Sequence, residues 1–305
     1  MNSMQTGSTT LTGWLTSRQP DSALQAWLGQ VYAALRTFCR NKLAVLGLFM
    51  VGIVLVVAVL APLLAPYTVN GQDLVRRLEP PSMEHWFGTD EFGRDVYSRI
   101  LFGSRYTLQF VALVIFVIAP VGMCIGMTAA YAGRIIDSVL MRITDVFLAF
   151  PRLILALAFV ATLGPGLRNA MIAIAITAWP PYARVARAEA LRIRNSDFIA
   201  AIRLAGGSPA RIIFRHMLPL CIPSIIVRAS LDMGGIILTA AGLGFLGLGA
   251  QPPQPEWGAM IAADRQYFLV QWWASTFPGL AICIATVGFN LLGDGLRDVL
   301  DPKYR

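Results

Sequence analysis

Arg228 and Asp232 stand four residues apart in an apolar run, 219–245. On a helix that spacing puts both on one face, near the middle of a stretch long enough to cross a bilayer. Intramembrane charges are costly and face a water-filled path or a partner charge. Two readings stay open: the pair lines the route of a polar solute, or the two residues neutralise each other for structure alone. An intramembrane carboxylate is also the chemistry of an ion-coupled secondary transporter. Asp90, Glu91, Arg94 and Asp95 form the other dense charged group. They read as a solvated helix start rather than as catalytic carboxylates, and no metal-ligand spacing occurs there.

Other chemistry is poorly supplied. A phosphate-binding loop needs Gly-Lys-Ser/Thr so that lysine reaches the β- and γ-phosphates. The only lysines are Lys42, after Asn41, and Lys303, after Pro302. If ATP drives this protein, another chain hydrolyses it; ATP and Mg²⁺ are expected on that partner and no cofactor here. His85 and His216 are far apart, which argues against a histidine metal site or a catalytic triad. The four cysteines, Cys39, Cys124, Cys221 and Cys283, form no CxxC pair and read as packing residues. No catalytic residue and no metal ligand is expected.

The elements that position these residues are membrane spans. Of 305 residues, 56% are hydrophobic and 14% charged, with mean hydropathy +0.62. A soluble domain of that length needs more surface charge. The expected fold is all-α and polytopic, with about six spans of roughly 20 residues, near 43–64, 108–131, 143–163, 170–185, 219–245 and 276–292. Pro180-Pro181 should kink the fourth. Gly122 and Gly126 give the second a small-xxx-small face for close helix contact. Gly242, Gly244, Gly247 and Gly249 read as tight packing, or as an unwound constriction at the end of the fifth. Residues 1–42 read as a polar lead with an amphipathic helix through Leu24, Trp27, Leu28, Val31, Leu35 and Phe38. That helix lies in the membrane interface or on the protein's own flank. Residues 43–305 read as the transmembrane unit, the first run being a retained anchor.

The net charge of +8 reports topology rather than nucleic-acid binding. Seventeen Lys and Arg fall on the side of the termini, with Arg152 counted there, against seven on the other side. The positive-inside rule then puts both termini and the 188–220 stretch in the cytoplasm.

That stretch has its own punctuation. Ser196 or Asp197 caps a helix start, and Phe198, Ile199, Ile202 and Ala205 follow at helical spacing. Gly206-Gly207 stops the helix. Ser208 caps the next one, with Pro209 at its first position. A short helix cannot bury an apolar face alone, so it must dock; the alternative, that the arginines only set topology, leaves the Gly206–Pro209 corner unexplained, and if ATP drives transport the subunit that hydrolyses it is a fitting partner for this helix pair.

The stretch at 188–218 resembles the EAA loop of binding-protein-dependent ABC importer permeases. The family's glycine falls on Gly206 and its terminal Leu-Pro on Leu218-Pro219; His216 takes the isoleucine position. The glutamate position holds Ala200, the first alanine is Ala201, and Ile202 stands for the second. With the acidic position empty, coupling would rest on shape, apolar contact and Arg203. The blocks HWFGTDEFGRDVYSR, MRITDVFLAFP, LGFLGLGAQPPQPEWGAM and GDGLRDVLDPK are similar to the C-type permease of dipeptide, oligopeptide and nickel importers.

The resemblance implies a type I importer permease fold and a bacterial cytoplasmic-membrane location. It also implies a B-type permease partner, two ABC ATPases and an extracytoplasmic solute-binding protein. Phe198, Ile199, Ala200, Ala201, Ile202, Arg203, Gly206, Leu218 and Pro219 would meet the ATPase, and Arg228 and Asp232 would line the path of a short peptide. Nickel or glutathione is the alternative cargo. Ion coupling through Asp232, or catalysis by the Asp90–Asp95 group, is the reading from another class.

Overall fold

Helix α1 (Ala23–Arg40) starts at Ser22, whose Oγ accepts from the Gln25 N–H at 3.1 Å. Asn41 separates it from α2 (Lys42–Leu64) and caps α2, its Oδ1 accepting from the Leu43 and Ala44 N–H groups. The computed structural model describes Trp14 and residues 22–300. The polar lead at 1–20, Trp14 apart, and the final basic residues Lys303 and Arg305 lie outside the described residues. Leu24, Trp27 and Leu35 of α1 are exposed, so much of its apolar stripe is not covered by this chain.

Eleven helices are described. After α2 come α3 (Val96–Ala132), α4 (Arg134–Ala149), α5 (Arg152–Leu163), α6 (Leu167–Ala178) and α7 (Pro180–Arg194). Then follow α8 (Asp197–Leu204), α9 (Pro209–Phe245), α10 (Trp257–Ala263) and α11 (Trp273–Leu300). The only strand-like feature among the described residues is an isolated bridge between Thr89 and Asp95. The fold is all-α, as expected.

Among the described residues, α2, α3, α9 and α11 are each long and apolar enough to cross a membrane. At 37 residues, α3 is about 55 Å long. The expected third span is not straight: α4 and α5 are bent by 93° at Phe150-Pro151. The cause is local. A residue before proline is driven out of the helical region, and Phe150 sits at φ −98°, ψ 142°. Counting this bent pair gives five spans. The expected fourth segment, 170–185, is divided between α6 and α7 at Trp179, where Pro180-Pro181 opens α7.

The core lies among α2, α3, α5, α6, α7, α9 and α11, with Val114, Ile118, Ile174, Tyr182 and Ile236 almost fully enclosed. The α3–α7 contact depends on the two glycines of the small-xxx-small face. A Cβ on Gly122 would come within 2.5 Å of the Tyr182 Cβ, and one on Gly126 within 2.2 Å of the Ala183 carbonyl oxygen. Of the four glycines at the end of α9, Gly244 and Gly249 pack closely, Gly242 has only ordinary contact with Leu153, and Gly247 turns the chain at φ 75°. A Cβ on Gly244 would lie 2.4 Å from Glu256 Oε2, so α10 sits directly against this end of α9.

Candidate functional site

The short helix α8 is built as its sequence dictates, with one change. Ser196 holds extended N-cap geometry, but its hydroxyl donates back to the Ile193 carbonyl at 2.6 Å instead of capping α8. At the other end, Gly206 stands at φ 78°, a region open to glycine at no steric cost. The Gly206 N–H donates to Arg203 O and the Gly207 N–H to Ile202 O, both at 3.0 Å. These two bonds form a Schellman stop. Ser208 Oγ then accepts from the Arg211 N–H, with Pro209 at the first helical position. In α9, Ile212–Met217 forms a π turn, which brings Ile212 and Met217, five apart, to the same buried side.

This corner divides the residues of α8 between two faces. Ile199 is fully buried and Ile202 partly so, packed with Met127, Ala130, Ile193, Ile212, Met217 and Cys221. Leu218 joins the same cluster while Pro219 is exposed. So one face of α8 docks on its own chain. Phe198, Ala200, Ala201, Arg203 and Gly206 are exposed. Leu204, not among the residues singled out from sequence, is 91% exposed. Ala201 and Leu204 sit three apart, and with Phe198 at their margin they form an outward apolar stripe. Its signal was present at i, i+3, i+6. Arg203 turns toward the chain's own α3: its guanidinium lies 5.7 Å from the Tyr131 ring centroid, with Arg194 at 5.9 Å. Two of the arginines leading into this region are taken by α4, Arg187 on Asp137 at 2.5 and 2.6 Å and Arg184 on Asp145 at 2.6 Å.

The second site is the intramembrane pair, and it is larger than two residues. Arg228 Nη2 lies 3.4 Å from Asp232 Oδ1. The same oxygen receives Arg152 Nη1 at 2.8 Å, and Tyr182 Oη donates to Asp232 Oδ2 at 3.4 Å. The Arg228 guanidinium also lies 5.8 Å from the Tyr182 ring centroid. Arg152 was counted with the basic turns outside the spans; the bend at Phe150-Pro151 instead turns it inward onto α9. Asp232 is only 6% exposed.

The Asp90–Asp95 group corrects the expectation of a solvated helix start. Asp95 does cap α3, accepting from the Ser98 N–H at 2.7 Å. But Asp90, Arg94 and Asp95 are buried. Arg94 Nε meets Asp90 Oδ2 at 2.6 Å, Arg99 Nε approaches the same oxygen at 3.5 Å, and His85 Nδ1 lies 2.9 Å from Asp95 Oδ1. The cover comes from distant sequence. Trp273 Nε1 donates to Thr89 O, Trp257 Nε1 donates to Ile100 O, and Asp264 Oδ1 accepts from the Glu91 N–H. The polar connection after α2 and the loops around α10 thus interlock into one cap. Burial, with the Asp90 charge nearby, pushes the Asp264 carboxyl up to about 7. These carboxylates are bound into structure, and among the described residues no group of three or more His, Cys, Asp or Glu has a metal-binding arrangement.

Residues 122–305 match the model of the binding-protein-dependent transport system inner membrane component family. Residues 30–81 match the N-terminal TM domain of oligopeptide transport permease C. The dipeptide transport system permease protein DppC of Alkalihalophilus pseudofirmus is 46% identical over 89% of this chain and 90% of its own. The probable D,D-dipeptide transport system permease protein DdpC of Escherichia coli K12 is 46% identical over 86% and 88%. The DppC of the same strain is 45% identical over 88% and 91%. Among solved structures, an inward-facing form of the MetNI methionine ABC transporter superposes with TM-score 0.53 at 21% identity, covering 66% of this chain and 96% of that one; the likeness is one of fold. Family match, long relatives and shared fold agree: this chain belongs to the binding-protein-dependent transport system inner membrane components, the multi-pass permeases of ABC importers.

Proposed function

We propose that this chain forms one half of the translocation path of an ATP-driven importer of short peptides. The observation that carries the cargo class is the 42–46% identity, over most of the chain, to relatives named as dipeptide or peptide permeases. The chain performs no covalent chemistry. A B-type permease completes the path, two ABC ATPases bind and hydrolyse ATP with Mg²⁺, and an extracytoplasmic binding protein delivers solute. The protein sits in a bacterial cytoplasmic membrane; α6 and the start of α7, broken at Trp179, make the sixth crossing and so put both termini and α8 in the cytoplasm.

In this reading the outward stripe of Phe198, Ala201 and Leu204 seats in a groove of an ATPase. The inward face, Ile199 and Ile202, transmits its movement to α3, α7 and α9. Support comes from the Schellman stop at Gly206-Gly207, which fixes α8 rigidly on the chain while leaving its stripe exposed. The interlocked cap at 67–105 and 249–275 faces the binding protein and partner permease. Arg228 and Asp232 belong to the path. Ion coupling through Asp232 is disfavoured, since its carboxylate is already engaged by Arg152, Arg228 and Tyr182.

The test is reconstitution of the full importer in proteoliposomes with labelled dialanine and its binding protein. Uptake should require ATP and both ATPases. Uptake that survives loss of the ATPases and follows an ion gradient would overturn the reading.

A further inference from the structure

Among the described residues, the charge cluster on α9 is one anion short. Arg152 and Arg228 both approach the same oxygen, Asp232 Oδ1, at 2.8 and 3.4 Å. Among the described residues, Tyr182 is the sole side chain on Oδ2. Two guanidiniums against one carboxylate leave a formal charge of +1 among apolar helices. An uncompensated charge in such a place is expensive. The hydrogen bonds tell the same story. Each guanidinium carries five N–H donors, and among the described residues Arg152 Nε, Arg152 Nη2 and Arg228 Nε, all enclosed, have no acceptor.

The cluster is not sealed. The side chains of Arg152 and Arg228 remain 26% and 32% exposed. Arg228 lines a cleft of about 450 Å³ between α7, α9 and α11, together with Glu189, Ser224 and Arg297. Glu189, whose Oε1 accepts from Ser224 Oγ at 2.8 Å, puts an acidic group on the same cleft. Glu189 is already paired with Arg192 at 3.0 Å and Arg297 lies on the same cleft, so the lining is cationic on balance and favours an anion.

We propose that Arg152 and Arg228, held in place by Asp232 and Tyr182, form a carboxylate-recognition site that takes the C-terminal carboxylate of the peptide in transit. Guanidinium is suited to this because its fork matches a carboxylate with two parallel hydrogen bonds. Asp232 is the fixed counter-charge that keeps both forks oriented; the solute supplies the missing anion and leaves again as the path rearranges. This rests on the peptide-importer reading.

The test compares ATP-driven uptake of dialanine and of dialanine amide by the complete importer, each at a concentration that saturates its binding protein. Wild type is set beside Arg152→Gln and Arg228→Gln. Because the binding protein is the same throughout, its own preference cancels between wild type and variant. Both variants should assemble, since removing one cation leaves a neutral pair with Asp232. The expected result is a fall of about tenfold or more in the acid-to-amide ratio for each variant, with Arg228→Lys keeping part of the preference. An unchanged ratio, with acid and amide reduced equally, would assign the cluster to structure and overturn the inference while leaving the peptide reading intact. Wild-type importer that takes up neither compound would overturn the peptide reading and this inference with it.

Discussion

Arg152 and Asp232 are 80 residues apart in sequence and 2.8 Å apart in space. The contact exists because the chain turns 93° at Phe150-Pro151 and starts α5 beside the middle of α9. It also changes what a mutation here means. Exchanging Arg228 and Asp232 would put a new arginine where Arg152 and Tyr182 now meet a carboxylate, so a charge swap cannot restore even a purely structural pair.

Removing Asp232 should therefore be more harmful than removing either arginine. Asp232→Asn leaves two cations facing each other without a counter-charge. A loss of about 3–5 kcal/mol is expected, the usual effect of breaking a buried pair from one side. Adding Arg152→Gln to Asp232→Asn should recover much of it. Thermal unfolding of the purified complex in detergent checks this; equal stability of Asp232→Asn and wild type would contradict the arrangement.

Helix α3 approaches α7 too closely at Gly126 to admit a side chain. The nearest atom to an added Cβ is backbone, the Ala183 carbonyl oxygen at 2.2 Å, which cannot step aside as a side chain would. Gly126→Ala should cost about 1–3 kcal/mol. Because α7 carries Tyr182, uptake should also fall in the assembled fraction. The yield of monodisperse complex and its uptake per mole report the two effects separately.

The cap should respond to pH through Asp264. Its folded carboxyl is raised to about 7, above the unfolded value near 4. The folded state therefore keeps a proton that the unfolded state gives up across this window. Stability from this group is full below about pH 4 and is lost as pH rises to about 7, by at most about 1.4 kcal/mol per unit. Asp264→Asn retains an acceptor for the Glu91 N–H and should flatten that slope. Melting temperatures of both proteins from pH 5 to 8 check it.

The two faces of α8 should separate folding from coupling. Ile199 is wholly enclosed, so Ile199→Ala should cost about 2–5 kcal/mol of stability. Leu204 is 91% exposed; Leu204→Asp should leave the melting temperature of the isolated permease pair unchanged and weaken association with the ATPases. Pull-down of the ATPases against thermal unfolding distinguishes the two outcomes.

What could be read from the chain alone was whatever depended on near neighbours. The glycine corner, the Ser208–Pro209 start and the α3 small-residue face are set within a few residues, and each stands where its spacing placed it. The bend at Phe150-Pro151 was also local, yet the surrounding apolar run disguised it as one straight span. Tyr182 and Arg152 escaped because each reaches Asp232 only through the packed fold. Asp90 and Arg94 looked solvated because Trp273, Trp257 and Asp264, which cover them, lie more than 150 residues downstream. Polar residues in a long connection give no local sign of being buried.

The central claim is that α8, stopped at Gly206, couples ATP hydrolysis to movement of the spans. Among the described residues nothing lies within 4 Å of a Cβ added at Gly206, so a substitution there acts through backbone strain at φ 78°. The direct measurement is the number of ATP molecules hydrolysed per labelled dipeptide imported, in proteoliposomes holding the complete importer. Gly206→Asn, which tolerates the left-handed region, should stay close to wild type. Gly206→Val should disfavour the corner by about 1–3 kcal/mol and raise the ATP cost per peptide several-fold while the complex stays assembled. An unchanged ATP-to-peptide ratio in Gly206→Val, at normal assembly, would contradict the coupling assignment.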